Sequence, residues 1–210
     1  APSTTTDALV EYVDVTPTFI DLAGGKPRED LDGRSFAAVL RGETDHHKDH
    51  VFGIQTTRGI TSGPEHYGVR SIRSERYKYI INLTPETAFS NNITQTDRKW
   101  FSFWKTWIKA GETDPVARAT TDRFVHRPAE ELYDVIADPY EQHNLAGDPQ
   151  LAVIRDVLRH RLEAWMHEQG GSGSRDGGQL PKPQNPRRQS RLPLRRPNET
   201  SSRRGRVVVL

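Results

Sequence analysis

Residues 67–73 and 77–83 are two short runs rich in aromatic and β-branched side chains, separated only by Ser74-Glu75-Arg76. A link that short fits a hairpin loop, so the two runs pair antiparallel. Tyr77-Lys78-Tyr79-Ile80-Ile81 has the composition of a pleated, half-buried surface, and residues 67–72 alternate in part. Two further runs, 50–56 and 131–135, read as strands in the same way. A small antiparallel sheet of four strands is therefore expected.

The helical signals flank this sheet. Leu151, Ile154, Leu158, Leu162 and Trp165 recur at steps of three and four, so a helix opened by Asp148-Pro149 and closed by Gly170-Gly171 carries one apolar stripe. Residues 7–22 read as a helix broken at Thr16-Pro17, since proline suits a first helical position, and Ala23-Gly24-Gly25 ends it. Ser35 caps a short helix over 36–40 that Gly42 closes. Residues 97–119 also read as helical and carry Trp100, Trp104 and Trp107 at helical spacing, which suits an apolar face better than a sugar-stacking platform. The fold class that follows is α+β, with the long C-terminal helix laid across one face of the sheet.

Charge divides the chain. From Gly171 to Leu210 ten basic residues stand against two acids, a net of +8, which leaves −6 for the rest of a chain whose total is +2. That segment is dominated by Gly, Ser, Pro, Gln and Arg. It lacks the apolar content needed to offset chain entropy, so disorder is expected over 171–210. With no interleaved aromatics and no folded reader, it is a poor candidate for nucleic-acid binding. The chain has no cysteine, which excludes disulfides and thiolate chemistry. No apolar run reaches the ~20 residues of a membrane-spanning helix.

Four segments together resemble the C-terminal part of a type I sulfatase. They are Tyr12-Val13-Asp14-Val15-Thr16-Pro17-Thr18-Phe19-Ile20-Asp21-Leu22-Ala23-Gly24; Leu31-Asp32-Gly33-Arg34-Ser35 with Leu40-Arg41-Gly42; Tyr67-Gly68-Val69-Arg70-Ser71-Ile72-Arg73 with Arg76-Tyr77-Lys78-Tyr79; and Glu130-Glu131-Leu132-Tyr133-Asp134 with Asp138-Pro139-Tyr140-Glu141-Gln142-His143-Asn144-Leu145-Ala146. Val51-Phe52-Gly53-Ile54-Gln55-Thr56-Thr57-Arg58-Gly59-Ile60 and Asn82-Leu83-Thr84-Pro85-Glu86 narrow the resemblance to heparan N-sulfatases, the N-sulphoglucosamine sulphohydrolases, and their bacterial relatives. The resemblance implies residues 1–25 as the last helix of an alkaline-phosphatase-like catalytic domain, 26–170 as the α+β C-terminal domain, and 171–210 as a tail. It also implies an N-terminal catalytic domain as partner, a sulfated glycan such as heparan sulfate as substrate, and a periplasmic, secreted or lysosomal setting.

The family's chemistry uses a formylglycine made from the Cys or Ser of a C/S-x-P-x-R motif, with a calcium ion to neutralise the sulfate. Neither is expected to be built from this chain. Ser62-Gly63-Pro64-Glu65-His66 comes nearest to the motif and has His66 where arginine is required. No catalytic and no metal residue is assigned, and the chain alone is expected to be inactive.

Gln55, Thr56, Thr57 and Arg58 are the candidate substrate-binding residues. Their amide, hydroxyl and guanidinium groups suit sugar hydroxyls and sulfate, and arginine binds an oxyanion through two parallel bonds. The plainer reading is a polar loop capping the sheet. His46 and His50 stand four apart, but between Gly42 and a strand they read as an exposed linker rather than a metal site. Arg70, Arg73, Arg76 and Lys78 read as the solvated face of a hairpin before they read as a glycan site. The alternative for the whole chain is an autonomous, non-catalytic module binding a sulfated glycan or a protein.

Overall fold

The computed structural model describes residues 5–56, 62–95 and 102–170. Four strands, β1 (Val51–Thr56), β2 (Gly68–Arg73), β3 (Tyr77–Asn82) and β4 (Glu130–Asp134), form one antiparallel sheet in the order β1-β2-β3-β4. Each lies within one residue of its expected bounds. The tight β2–β3 connection is held by Ser74, whose amide donates to the Tyr77 carbonyl at 2.8 Å and whose hydroxyl accepts from the Tyr77 amide at 3.0 Å.

Register places the side chains. Phe52, Ile72, Tyr79 and Leu132 sit opposite one another in turn across the four strands, so they form one row on one face. That row is the centre of the core. The helix α6 (Ala152–Glu168) lies over it and contributes Leu158, Leu162 and Met166. Ile72, Tyr79, Leu132 and Leu162 are fully buried, and each aliphatic side chain so buried contributes about 1.5–3 kcal/mol relative to exposure. Asp148 starts this segment by accepting from the Gln150 amide at 2.8 Å, and Gly170, at φ +78°, ends it in the left-handed conformation that glycine adopts without strain.

The opposite face is covered as well. Val69, Ile80 and Tyr133 pack there with Tyr67 and Phe89, and Phe124 closes over Phe89 with ring centroids 5.4 Å apart. After a single turn of helix, α3 (Asn92–Gln95), the single helix expected over 97–119 is two: α4 (Ser102–Ala110) and α5 (Pro115–Val125). The chain turns between them because Pro115 has no amide hydrogen to donate, while Asp114 caps α5 by accepting from Val116 at 2.8 Å. Trp104 is buried against Phe124, Trp107 is exposed, and Trp100 lies outside the described residues.

The first helix is also shorter than expected. A 3-10 turn (Tyr12–Asp14) leads into α1 (Val15–Leu22), and residues 7–11 are not helical. Glu11 and Asp14 form a capping box at this point, which fixes the start. Pro17 therefore sits inside the first turn rather than opening the helix. α1 packs on α2 (Ala37–Leu40), which starts one residue later than expected, so that Phe36 rather than Ser35 takes the cap position, although the Ser35 hydroxyl accepts from the Ala37 amide at 3.1 Å. Tyr12, Val13, Phe19 and Leu22 are left exposed. The tail expected to be disordered, 171–210, lies outside the described residues.

Candidate functional site

Gln55 and Thr56 stand at the end of β1, where the strand leaves the sheet towards the β1–β2 connection. Gln55 is half-buried opposite Val69, and Thr56 is exposed opposite Gly68. Thr57 and Arg58, the other two candidate binding residues, lie outside the described residues. The same end of the sheet gathers the start of β2, the end of β3 and the start of β4. Its last complete row on the α6 face is Ile54, Arg70, Ile81 and Glu130.

Glu130 is bound from two sides. The Tyr79 hydroxyl donates to its Oε2 at 3.0 Å, and Arg159 of α6 donates both to that carboxylate and, through Nε, to the Tyr79 hydroxyl at 3.0 Å. Burial and the neighbouring Glu130 push the Tyr79 phenol up to about 12, so it stays protonated and acts as a donor. An open cleft of about 250 Å3 lies beside this triad, lined by Ile81, Leu83, Pro85, Glu130, Arg159 and Glu163 among others. On the opposite face Asn82 donates to Glu131 at 2.6 Å and to the Pro128 carbonyl at 2.6 Å, while the Tyr133 hydroxyl donates to Glu131 at 2.5 Å. Burial raises the Tyr133 pKa first, and the hydrogen bond to Glu131 adds to it. Both carboxylates thus help to hold the sheet end together.

The basic residues of the hairpin do not form a cluster. Arg73 and Lys78 face one side of the sheet and Arg70 the other. Arg76 pairs with Asp134 at 2.8 Å, and Lys78 with Glu141 at 2.9 Å. Arg70 differs from both. Its guanidinium is bound by the backbone carbonyls of Val69 at 3.0 Å and Gln55 at 3.3 Å, and among the described residues it has no carboxylate partner. Burial lowers its pKa.

His46, His47 and His50 diverge. His46 is exposed beside Asp49, His50 meets Arg161, and His47 is buried against Asp14 at 3.3 Å. No group of three or more His, Asp or Glu side chains among the described residues comes together as a metal-ligand set. The donors described here therefore do not fit a calcium site.

Asp14 is the centre of a second polar cluster, one that spacing along the chain did not disclose. It is fully buried and accepts from the amides of Glu11 at 2.9 Å and Arg34 at 3.0 Å and from the Lys48 ammonium at 2.8 Å. Burial alone raises its pKa, but the hydrogen bonds from Lys48, Arg34 and Glu11 together outweigh that, and it is held below the ordinary carboxylate range. Glu11 extends the cluster to the sheet, since its carboxylate accepts from the Phe52 amide at 2.7 Å and pairs with Lys48. The Asp32-Gly33 turn fits here only without a side chain: a Cβ on Gly33 would lie 2.1 Å from the Val13 carbonyl oxygen.

Comparison with known proteins matches residues 1–97 to the family model "N-sulphoglucosamine sulphohydrolase, C-terminal". An ulvan-active sulfatase of Formosa agariphila is 36% identical over 169 residues, covering 80% of this chain and 31% of that protein. The human N-sulphoglucosamine sulphohydrolase is 28% identical over 171 residues, covering 77% of this chain and 33% of that protein. Among solved structures, a 2-O GAG sulfatase superposes with a TM-score of 0.50 at 25% identity, over 79% of this chain and 27% of that one. The chain thus spans about a third of the length of these curated relatives.

Proposed function

We propose that this chain, matched over residues 1–97 by the C-terminal model of the N-sulphoglucosamine sulphohydrolases and similar to sulfatases over most of its length, forms part of the substrate pocket of an enzyme that hydrolyses sulfate from a sulfated polysaccharide. The observation that carries this reading is the end of the sheet where β1 finishes. There Gln55 and Thr56 stand next to the exposed Ile54, and Thr57 and Arg58 follow them in the sequence. The amide of Gln55 and the hydroxyl of Thr56 at the strand end are donors of the kind a sulfated sugar needs.

The N-sulphoglucosamine of the human relative and the ulvan of the Formosa relative are the two substrate classes to compare. Heparan N-sulfate is the reading favoured by residues 51–60 and 82–86. The nucleophile and the calcium ion of such an enzyme belong to the N-terminal catalytic domain, which is the partner this reading requires. When bound there, calcium would offset the charge of the sulfate.

The test uses the complete enzyme, the catalytic domain followed by this chain. Gln55→Ala and Arg58→Ala should each raise KM for a sulfated oligosaccharide tenfold or more while changing kcat less. Equal KM for parent and variants on both heparan and ulvan oligosaccharides would overturn the pocket assignment. The sheet is packed on both faces and has its own core, which favours the second reading, an autonomous glycan-binding module. That reading requires saturable glycan binding by the chain and no change in hydrolysis from either variant.

A further inference from the structure

Among the described residues, Arg70 is the hairpin cation that is half-buried and held by backbone carbonyls alone, whereas Arg73, which also has no carboxylate partner, is exposed. Resting on the reading above, we infer that Arg70 anchors an oxyanion of the bound polysaccharide, a sulfate or a uronate carboxylate on a sugar residue, at the open edge of the sheet row Ile54–Arg70–Ile81–Glu130.

Three observations carry this. The first is placement. Arg70 lies directly between Ile54 and Ile81 in the cross-strand register, at the sheet end where Gln55 and Thr56 emerge. α6 covers the neighbouring row through Phe52, Ile72, Tyr79 and Leu132, yet Ile54 is left 59% exposed. The second is orientation. One amino nitrogen of the guanidinium is held by two carbonyls, Val69 at 3.0 Å and Gln55 at 3.3 Å. Among the described residues the other two nitrogens make no hydrogen bond, so an edge of two N–H groups remains for a two-oxygen acceptor. The third is charge. Arg76 and Lys78 each have a carboxylate, whereas Arg70 sits half-buried without one. A partly desolvated cation lacking a counter-charge is unfavourable in the free protein. An incoming oxyanion relieves that cost and gains two parallel charge-assisted bonds. Ile54 beside it offers apolar surface to the carbon face of the same sugar ring.

The test is nuclear magnetic resonance on the full 210-residue chain, following the Arg70 Nε–H signal and the methyl groups of Ile54 and Ile81. The probes are a heparin-derived tetrasaccharide, a hyaluronan tetrasaccharide (uronate without sulfate) and inorganic sulfate. The heparin probe should shift all three signals saturably. Arg70→Gln, which removes the Nε–H signal itself, should abolish the Ile54 and Ile81 methyl shifts while leaving any produced in the basic residues 175–206, and Arg70→Lys should retain those two methyl shifts with at least threefold weaker affinity. A hyaluronan response equal to that of heparin assigns the oxyanion to the carboxylate, and a tenfold weaker one assigns it to sulfate. Inorganic sulfate should shift Arg70 but not Ile54. Shifts confined to residues 171–210, or unchanged by Arg70→Gln, would overturn the inference. If Arg70→Gln does not fold, Ile54→Glu at its exposed position decides: tenfold weaker binding supports the site, and unchanged binding overturns it. The pocket assignment fails separately, because Gln55→Ala and Arg58→Ala are read by KM and the Arg70 edge by these three signals.

Discussion

The indole of Trp165 lies flat on the ring of Phe52, with centroids 4.6 Å apart and planes 4° from parallel. This stack joins the last turns of α6 to the edge strand β1. Trp165→Ala should therefore cost about 2–3 kcal/mol, below the full range for a buried tryptophan because the side chain is only partly covered. Trp165→Phe should cost less than half of that. Urea unfolding of the two variants measures both.

Gly33 is fixed by contact rather than by backbone conformation. An added Cβ would strike the carbonyl of Val13 and the amide of Asp14, which are backbone atoms that cannot step aside. Gly33→Ala should destabilise the chain by about 3 kcal/mol or more. Gly147→Ala, where nothing lies within 4 Å, should be close to neutral. Thermal melts of the pair make the comparison.

Burial lowers the pKa of His47 despite the nearby Asp14, and burial also lowers that of His50. The unfolded chain titrates these groups near the ordinary 6.5. Below that pH the unfolded state binds more protons than the folded state, so stability should fall as pH drops from about 7 to 5. The depressed carboxylate of Asp14 adds a second loss, at pH below its ordinary 3.8. His47→Gln should flatten part of the slope between pH 7 and 5, leaving the share due to His50. Urea midpoints across that range would show it.

The chain alone should release no sulfate from N-sulphoglucosamine or from ulvan oligosaccharides with calcium present. It has no cysteine, and Ser62-Gly63-Pro64-Glu65-His66 lacks the arginine of the formylglycine motif. Ion chromatography of released sulfate provides the measurement, and turnover above a heat-treated control would contradict the expectation.

Tyr12, Phe19 and Leu22 are 94%, 67% and 49% exposed on one short helical segment. Contiguous apolar surface of this kind marks an interaction site. The isolated chain should self-associate with rising concentration, and Phe19→Glu should shift it towards monomer in sedimentation velocity.

The strands were legible because period-two alternation and β-branched composition are local properties. Residues 67–73 and 77–83 announce a hairpin whatever surrounds them. α6 was legible for the same reason, through the stripe from Leu151 to Trp165. The break between α4 and α5 was available in Gly111-Glu112-Thr113-Asp114-Pro115, but the aromatic spacing on either side masked it. The polar clusters were not legible. Asp14, Lys48 and Glu11 meet only after α1, the Asp32-Gly33 turn and β1 have been brought together, and nothing in the spacing of their positions signals that. Of the candidate site, Gln55 and Thr56 could be placed at a strand end from sequence. The isolation of Arg70 from its neighbouring cations depended on the faces and pairings that register sets.

β4 joins the sheet only after the excursion of residues 83–129, which includes α4 and α5. The cost of closing such a loop rises only as the logarithm of its length, about 0.6 kcal/mol for each doubling. The register of β4 on β3 is fixed by Tyr79 against Leu132 and Ile81 against Glu130, residues outside the excursion. Within this stretch the connections between the buried Phe89 and Trp104 and the half-buried Phe124, which cover the far face of the sheet, are therefore where the chain tolerates being lengthened or shortened, while those three side chains are held by packing.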